Sequence, residues 1–238
     1  NALWFILLAV ALITALTITI TSSSDQTEQS GDIERARVQA SEILNFAKSV
    51  EEGVKRMTMR GISENELSFE DTRLTTDYSH AGCTGDNCLV FGKSGGGVSY
   101  SPPNSLWLDR SESASARYGE WFFTSDTCVA SVVRGGTDCD ADAANNEELL
   151  IVMPYIKRDL CTEINYLLTL KDGSGNLLTS PPEQTDAAFD LDAYFQGSFS
   201  GDSMIILDDT SYLTGKKAGC FEDKTLGAYM FYYTLIGR

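Results

Sequence analysis

ALWFILLAVALITALTITI, residues 2–20, is the stretch that decides the fold, because it carries no charged side chain. A helix rises 1.5 Å per residue, so this segment would cover the roughly 30 Å hydrocarbon core of a bilayer. From Asp25 onward the sequence becomes charged and polar, yet apolar residues recur every three or four positions from Ile33 to Met57. That spacing is typical of an amphipathic helix. We therefore predict one long helix, with an apolar segment over residues 1–24 and an amphipathic half over residues 25–60.

The apolar segment begins at once, with no Lys or Arg before it and with Asn1 rather than Met as the first residue. A secretory signal peptide has a basic region, a short apolar core and a cleavage site after that core. Its removal would take the apolar segment away, whereas here the segment is retained. We expect that a leader is removed on the cytoplasmic side of a retained hydrophobic helix, or that the sequence was trimmed at this point.

This processing pattern and the two-part helix resemble those of type IV prepilins and of the pseudopilins of secretion systems. The resemblance covers the N-terminal helix closely and the rest of the chain in outline. It implies a precursor held in the inner membrane, a prepilin-peptidase-like processing enzyme and an assembly machinery. It also implies that the apolar half of the helix packs with copies of itself in the core of a helical homopolymer.

Two positions depart from that family. Its mature chains usually begin with Phe and carry Glu at the fifth position, where this chain has Asn1 and Phe5. The charge pairing between neighbouring subunits that the family's Glu provides is therefore not carried over. We expect a divergent pilus-like filament.

The resemblance and the strand patterns together predict an α+β fold, in which the long N-terminal helix packs on a mainly antiparallel β-sheet. The globular region spans residues 61–238. A second helix is predicted over Ile156–Leu170, a hairpin turn at Gly95–Gly96, and a central last strand that packs on the first helix near residues 43–54. The predicted strands, which are short runs rich in β-branched and aromatic residues, cover residues 88–91, 97–100, 120–124, 129–133, 148–153, 194–195, 204–207 and 229–236.

Six cysteines lie beyond the helix, and an even count in an exported chain favours disulfides over free thiols. Sequence alone permits fifteen pairings. Proximity in sequence suggests three pairs, which would close two short loops and one long loop. On the chain-entropy model, each short loop would contribute roughly 2 to 3 kcal/mol and the long one about 4 kcal/mol. Zinc is the competing interpretation, but no second close Cys pair and no His pair follows, so we predict no metal site. The suggested pairs are Cys83 with Cys88, Cys128 with Cys139, and Cys161 with Cys220.

The charge balance excludes one class of partner. The chain has 34 acidic and 18 basic residues, which gives a formal net charge of −16. Nucleic-acid binding requires Lys and Arg side chains that neutralise phosphates, and no basic cluster occurs here. We predict no nucleic-acid partner, and an acidic, self-repelling exterior suited to a secreted protein.

The sequence offers little catalytic machinery, so we predict neither an enzyme nor a cofactor site. His80 is the one histidine available for triad chemistry. Gly95–Gly97 lacks the Lys and the following helix of a phosphate loop, and acidic pairs such as Asp208–Asp209 are unsurprising in so acidic a chain. Alternating acids at 138, 140 and 142 begin like a calcium loop, but Ala143 and Leu149 stand where Gly and Glu are needed.

We therefore expect a structural subunit of an extracellular pilus-like filament at the cell surface, inserted in the inner membrane as a precursor. One alternative is a minor pilin or pseudopilin that acts in filament initiation or secretion. Another is a single-pass, membrane-tethered extracytoplasmic binding module, which would need a basic cytoplasmic segment that this chain lacks. The side chains expected to pack in the filament core are Leu3, Phe5, Leu7, Leu8, Val10, Leu12, Ile13 and Leu16.

Overall fold

The computed structural model describes residues 2–129, 147–185, 189–199, 205–206 and 212–237, with side chains from residue 31 onward except at 205–206. Within these residues the chain forms two α-helices and six strands. It divides into two compact units, Asn1–Val38 and Gln39–Arg238, and we call the second the head. The elements in chain order are α1 (Ala2–Met59), β1 (Phe122–Cys128), β2 (Glu148–Pro154), α2 (Arg158–Leu167), β3 (Glu183–Gln184), β4 (Ile205–Ile206), β5 (Ala218–Asp223) and β6 (Ala228–Ile236).

The sheet corrects the predicted fold class. Its strand order is β3-β5-β6-β2-β1-β4. The central pairs are antiparallel, but both outer pairs are parallel, with Thr127 opposite Ile205 at one edge and Glu183 opposite Glu222 at the other. The fold is α+β, but the predicted architecture is wrong, because the sheet that accompanies the N-terminal helix is mixed rather than mainly antiparallel. Long connections separate the strands of each outer pair, so the second strand can enter the sheet from the same end as the first.

Both faces of the sheet are buried, which explains the uninterrupted apolar run of β2. All seven residues of that strand, ELLIVMP, are buried. Alternate side chains point to opposite faces. Ile151 and Met153 therefore join the apolar cluster that contains α1, whereas Leu150 and Val152 join a second cluster on the other face.

The predicted apolar stripe of the first helix is confirmed within the head, where it is almost fully buried. The side chains share one cluster with Phe231 and Leu235 of β6, as predicted for the last strand. Burying a Val, Ile or Met side chain stabilises a fold by roughly 1.5 to 3 kcal/mol. Before residue 39, where the head begins, the stripe is exposed to solvent, and Ile33 is 43% exposed. The buried members are Ala40, Ile43, Ala47, Val50, Val54 and Met57.

Several local predictions are confirmed. The second helix lies at Arg158–Leu167, inside the predicted range, and the strands predicted at 148–153, 204–207 and 229–236 correspond to β2, β4 and β6. β1 begins two residues later than predicted, at Phe122. The part of the predicted strand 129–133 beyond Val129 lies outside the described residues.

Other local predictions are wrong. Residues 88–91, 97–100 and 194–195 form no strand. The chain does double back at Gly95–Gly96, where Gly96 N donates to Leu89 O (3.0 Å) and Val98 N donates to Val90 O (3.3 Å). The turn belongs to a compact loop rather than to a β-hairpin, because too few successive pairs follow to make a ladder.

Among the residues whose side chains are described, no helix combines the length and apolar composition needed to cross a membrane.

Candidate functional site

Glu51 of α1 is the polar centre of the contact between the helix and the sheet. Its side chain is almost fully buried, with 4% of the residue exposed. The Tyr233 hydroxyl of β6 donates to Glu51 Oε2 at 2.6 Å, and the ammonium groups of Lys217 and Lys55 form ion pairs with Oε1. This network fixes the helix against β6 and against Lys217, the residue that precedes β5.

The network keeps Glu51 ionised. Burial alone would raise the pKa of its carboxyl, but hydrogen bonds from Lys217, Lys55 and Tyr233 outweigh the burial and lower the pKa to about 2. A buried carboxylate is tolerated only when charged or polar donors compensate for lost water. Glu51 is therefore an ionic anchor in an otherwise apolar helix face.

Glycine permits a second close contact of the helix. A Cβ atom built on Gly53 would lie 2.4 Å from Val98 Cγ2, so the loop and the helix backbone approach each other directly. One turn later, Arg56 donates to the carbonyl of Gly96. A Cβ on Gly96 would lie 2.4 Å from the carbonyl oxygen of Val90. These glycines serve close packing, which is a reason for the glycine run in addition to the predicted turn.

Two of the predicted disulfides, Cys83–Cys88 and Cys161–Cys220, are present. The second joins α2 to β5, and a side chain strengthens the same junction. Asn165 Nδ2 donates to Cys220 O, and Cys220 N donates to Asn165 Oδ1, both at 2.8 Å. Asn165 thus satisfies both backbone groups of the bonded cysteine. The predicted pair of Cys128 with Cys139 lies outside the described residues, because Cys139 does.

His80 is held by backbone partners. Its Nε2 lies 2.7 Å from Leu67 O and its Nδ1 accepts from Gly82 N at 3.2 Å, which defines the tautomer protonated on Nε2. Gly197, at φ 75°, leaves room for the ring, since a Cβ there would lie 2.5 Å from His80 Cε1. The imidazole therefore fastens the loops around it.

Glu148 is a second buried acid, at the start of β2, with 3% of the residue exposed. Its Oε2 accepts from the backbone N–H of Val129 at 2.7 Å. Burial raises the pKa of its carboxyl to about 7, the Val129 bond opposes that rise, and the nearby charge of Glu147 adds to it. Near neutral pH this group is thus only partly ionised.

An open pocket of about 370 Å³ lies beside α1 within the head. Phe46 stacks on Trp121 with ring centroids 4.8 Å apart and an interplanar angle of 21°. The walls combine three aromatic rings with one carboxylate, one amide and one hydroxyl. We call it the aromatic pocket, and its lining residues are Glu42, Phe46, Ser101, Pro102, Asn104, Trp107 and Trp121.

Other predicted residues lie outside the part of the chain whose side chains are described. They include Asp208–Asp209, the alternating acids at 138, 140 and 142, and Ala143. Where side chains are described, no group of three His, Cys, Asp or Glu residues is placed to hold a metal ion. The predicted filament-core residues also lie outside the part of the chain whose side chains are described. They are Leu3, Phe5, Leu7, Leu8, Val10, Leu12, Ile13 and Leu16.

Sequence reasoning missed Glu51 and the aromatic pocket. An acid in the charged half of the helix is expected on its polar side, but Glu51 is four residues after Ala47 and three before Val54, on the apolar stripe. That position was the available signal. The pocket gave no local signal, because Phe46, Trp107 and Trp121 come from three separate segments.

Comparisons with protein-family models, with curated proteins and with solved structures gave no match to this chain.

Proposed function

We propose that this chain is a structural subunit of an extracellular pilus-like filament, assembled through the apolar part of its N-terminal helix. The observation that carries the proposal is the unequal use of α1, which is a single helix from Ala2 to Met59. From Ala40 onward its apolar stripe is built into the core of the head. The sequence of the same helix from Ala2 to Ile20 is uncharged and strongly apolar, and such surface must be removed from water.

Copies of the same segment can cover that surface. Ala9, Ala11 and Ala15 are small residues that let helices approach closely. Before assembly the segment would hold the precursor in the inner membrane, where a prepilin-peptidase-like enzyme would process it. Lipid is already apolar, so close packing and contacts between heads must supply most of the net assembly energy.

Two properties of the head support a location outside the cell. The disulfides Cys83–Cys88 and Cys161–Cys220 are typical of oxidising compartments. Acidic residues also outnumber basic ones, and the formal net charge of −16 for the whole chain favours solubility of exposed heads.

Electron microscopy of material sheared from the producing cells, with mass spectrometry of its subunits, tests the proposal. We expect filaments composed mainly of this chain. If the chain is only a trace component beside another major subunit, it acts instead as a minor pilin or pseudopilin. If it stays with the membrane fraction and no filament contains it, the proposal is wrong.

A substitution tests the role of the apolar segment. Leu12→Asp places a charge in the predicted filament core, and we expect it to abolish filaments while the head stays folded. Leu226→Asp is the matched control, because Leu226 is 40% exposed in the turn between β5 and β6. Normal filaments from Leu12→Asp would contradict the proposed assembly.

The aromatic pocket favours a second candidate, a membrane-tethered extracytoplasmic binding module. Its volume lies within the range of small-molecule sites, about 300 to 1,000 Å³. Membrane fractionation separates the two candidates, since a tethered module remains in the membrane and a filament subunit is sheared from cells.

A further inference from the structure

The end of α1 carries a basic surface that the fold assembles from two segments of the chain. Arg56 lies in the last turn of the helix, Arg60 directly follows the helix, and Lys93 lies in the loop that packs on it; all three residues are exposed. Both arginines donate to backbone carbonyls of residues 94–96, and Arg60 Nη1 lies 3.1 Å from Gly95 O. Three cationic groups therefore gather around one loop.

The charge of this surface is not neutralised within the described part of the chain. Arg56, Arg60 and Lys93 form no ion pair there. The loop carbonyls orient the guanidinium groups but carry no net charge, so three formal positive charges remain exposed to solvent. The chain as a whole has a formal net charge of −16. Such a concentration of positive charge in an acidic chain attracts an anionic partner.

The surface also has an apolar centre. Met59, which lies between the two arginines in sequence, is 84% exposed, more than any other large apolar side chain that the structure describes. Met and Arg are enriched in protein–protein interfaces, and the flexible thioether of Met fits irregular partner surfaces. We call this surface the basic tip, and its residues are Arg56, Met59, Arg60 and Lys93.

The loop beneath the arginines is held by its own backbone. Gly96 N donates to Leu89 O at 3.0 Å, and Gly97 N donates to Gly92 O at 2.8 Å. A Cβ on Gly95 would lie 2.1 Å from Leu89 O, so the loop packs closely against itself. Guanidinium groups that are already bonded to such a loop lose less side-chain freedom when a partner binds, and this favours association.

A second copy of the chain is the partner that fits this charge and size. Each copy brings an excess of carboxylates, and copies of like charge repel one another unless a local contact offsets the repulsion. A long polyanion such as a nucleic acid would extend beyond three cations onto the acidic remainder of the chain, where it would be repelled. A small acidic surface of a protein meets the cations without that cost.

We propose that the basic tip of one copy binds an acidic surface of a second copy, with Met59 at the centre of the contact and arginine–carboxylate pairs around it. Because the two surfaces differ, the contact is heterologous, and repetition of a heterologous contact that does not close builds an open helical array. The inference rests on the proposed function, which places copies of the chain side by side, and it names a contact between their heads.

Site-specific photo-cross-linking of the full chain in the producing cells tests the contact. Met59 is replaced by p-benzoylphenylalanine, which under near-ultraviolet light joins covalently to the group that lies against it. We expect a product with twice the mass of one chain. Mass spectrometry of that product should find the probe joined to a segment of the second copy that carries Asp or Glu side chains.

Charge reversal in the chain that carries the probe tests the electrostatic part of the contact. We expect Arg60→Glu to lower the yield of the product at least about fivefold. Lys93→Glu should act in the same direction, and it spares the fold because the Lys93 side chain makes no hydrogen bond among the described residues. Arg110→Glu is the matched control, since Arg110 is an exposed arginine outside the basic tip, and it should leave the yield unchanged.

The cross-link and the filament are separate readouts. A product of two copies in the membrane fraction, with no filament in any fraction, would support the contact and refute the proposed function. Filaments that give no product, or a product with a different protein, would overturn the inference and leave the proposed function standing. Equal yields from Lys93→Glu and Arg110→Glu would also overturn it, as would a probe joined to a segment without acidic side chains.

Discussion

Glu51 on α1 and Glu148 at the start of β2 are almost equally buried, at 4% and 3% exposure, yet their pKa values move in opposite directions. Glu51 receives two ammonium groups and a phenol hydroxyl. The Glu148 carboxylate receives the backbone N–H of Val129 and lies near the charge of Glu147.

The difference shows that the neighbours of a carboxylate, rather than its depth, decide whether it is charged in the folded state. At Glu51 the donors compensate for lost water, and the charge becomes a fixed point between helix and sheet. At Glu148 the hydrogen-bond donors compensate only in part, so the carboxyl group binds a proton more readily in the folded protein than in the unfolded chain. Buried acids of one chain can therefore oppose each other in how stability depends on pH.

The largest loss of stability is expected from a buried carboxylate that has no hydrogen-bond donor at all. Val50→Asp places one beside Glu51, at a fully buried position of the same helix. We expect a loss of more than about 4 kcal/mol, enough to unfold the head. Asn45→Asp, at an exposed position of that helix, is the control and should cost less than about 0.5 kcal/mol. Thermal unfolding followed by circular dichroism makes the measurement, and a folded Val50→Asp head would contradict the argument.

Glu51→Gln removes the charge and keeps the shape. We expect a loss of roughly 2 to 3 kcal/mol at pH 7, because three charged or polar donors lose their acceptor charge. The loss stays below that of Val50→Asp since Lys55 and Lys217 remain partly exposed to water. Urea denaturation gives the free energy of unfolding. An equal loss from Glu52→Gln, one residue along the helix, would show that general charge rather than this network is responsible.

The pH dependence of stability in the wild type and in Glu51→Gln tests whether Glu51 is ionised in the folded protein. The folded pKa of Glu51, about 2, lies below its ordinary value of 4.5. Its contribution is therefore fully present above pH 4.5 and is lost as pH falls toward 2. The difference in stability between the wild type and Glu51→Gln should shrink through that window. A difference that is constant from pH 6 to 3 would exclude an ionised Glu51.

Glu148→Gln should have the opposite sign. The folded pKa of Glu148, about 7, lies above its ordinary value of 4.5, so its contribution is fully present below pH 4.5 and is lost as pH rises through 7. We expect the variant to be more stable than the wild type by about 1 kcal/mol at pH 8, and not at pH 4.5. Parallel urea titrations at the two pH values test this, and a variant less stable at pH 8 would refute it.

Tyr233→Phe makes the smallest change, because it removes one donor to Glu51 and leaves both ammonium groups. We expect a loss of about 1 kcal/mol. When Tyr233→Phe is combined with Glu51→Gln, the double variant should lose less stability than the sum of the two single losses, since both act on one network. Full additivity in a double-mutant cycle would place the Tyr233 hydroxyl outside the network.

Periodicity in the sequence predicted the parts of the fold that a single segment determines. The stripe from Ala40 to Met57, the buried strand β2 and the helix α2 each carry their pattern within one run of residues. Proximity in sequence also predicted the two disulfides that lie among the described residues.

The features that failed depend on residues far apart in sequence. The direction of the outer strands follows from how long connections return to the sheet, and no local pattern records that. The strand β5 was missed because its first two residues, Ala218 and Gly219, belong to the run Gly215-Lys-Lys-Ala-Gly219, which is typical of a turn. Gly219 lies in the sheet for a packing reason, since a Cβ there would lie 2.7 Å from Leu213 Cδ2.

The candidate site shows the same limit. Glu51 became an anchor only when Lys217 and Tyr233 were brought to it from the end of the chain. The aromatic pocket likewise needs α1, the loop before β1 and Trp121 in one place.

The short edge of the sheet has a consequence when many copies of the chain lie close together. Within the described residues, the strand β3 at one edge of the sheet has only two residues. A short edge offers few unpaired backbone groups to a neighbouring molecule, and so gives little template for intermolecular β-pairing. In the filament that we propose, this edge would therefore give neighbouring heads little opportunity to fuse into an amyloid-like sheet.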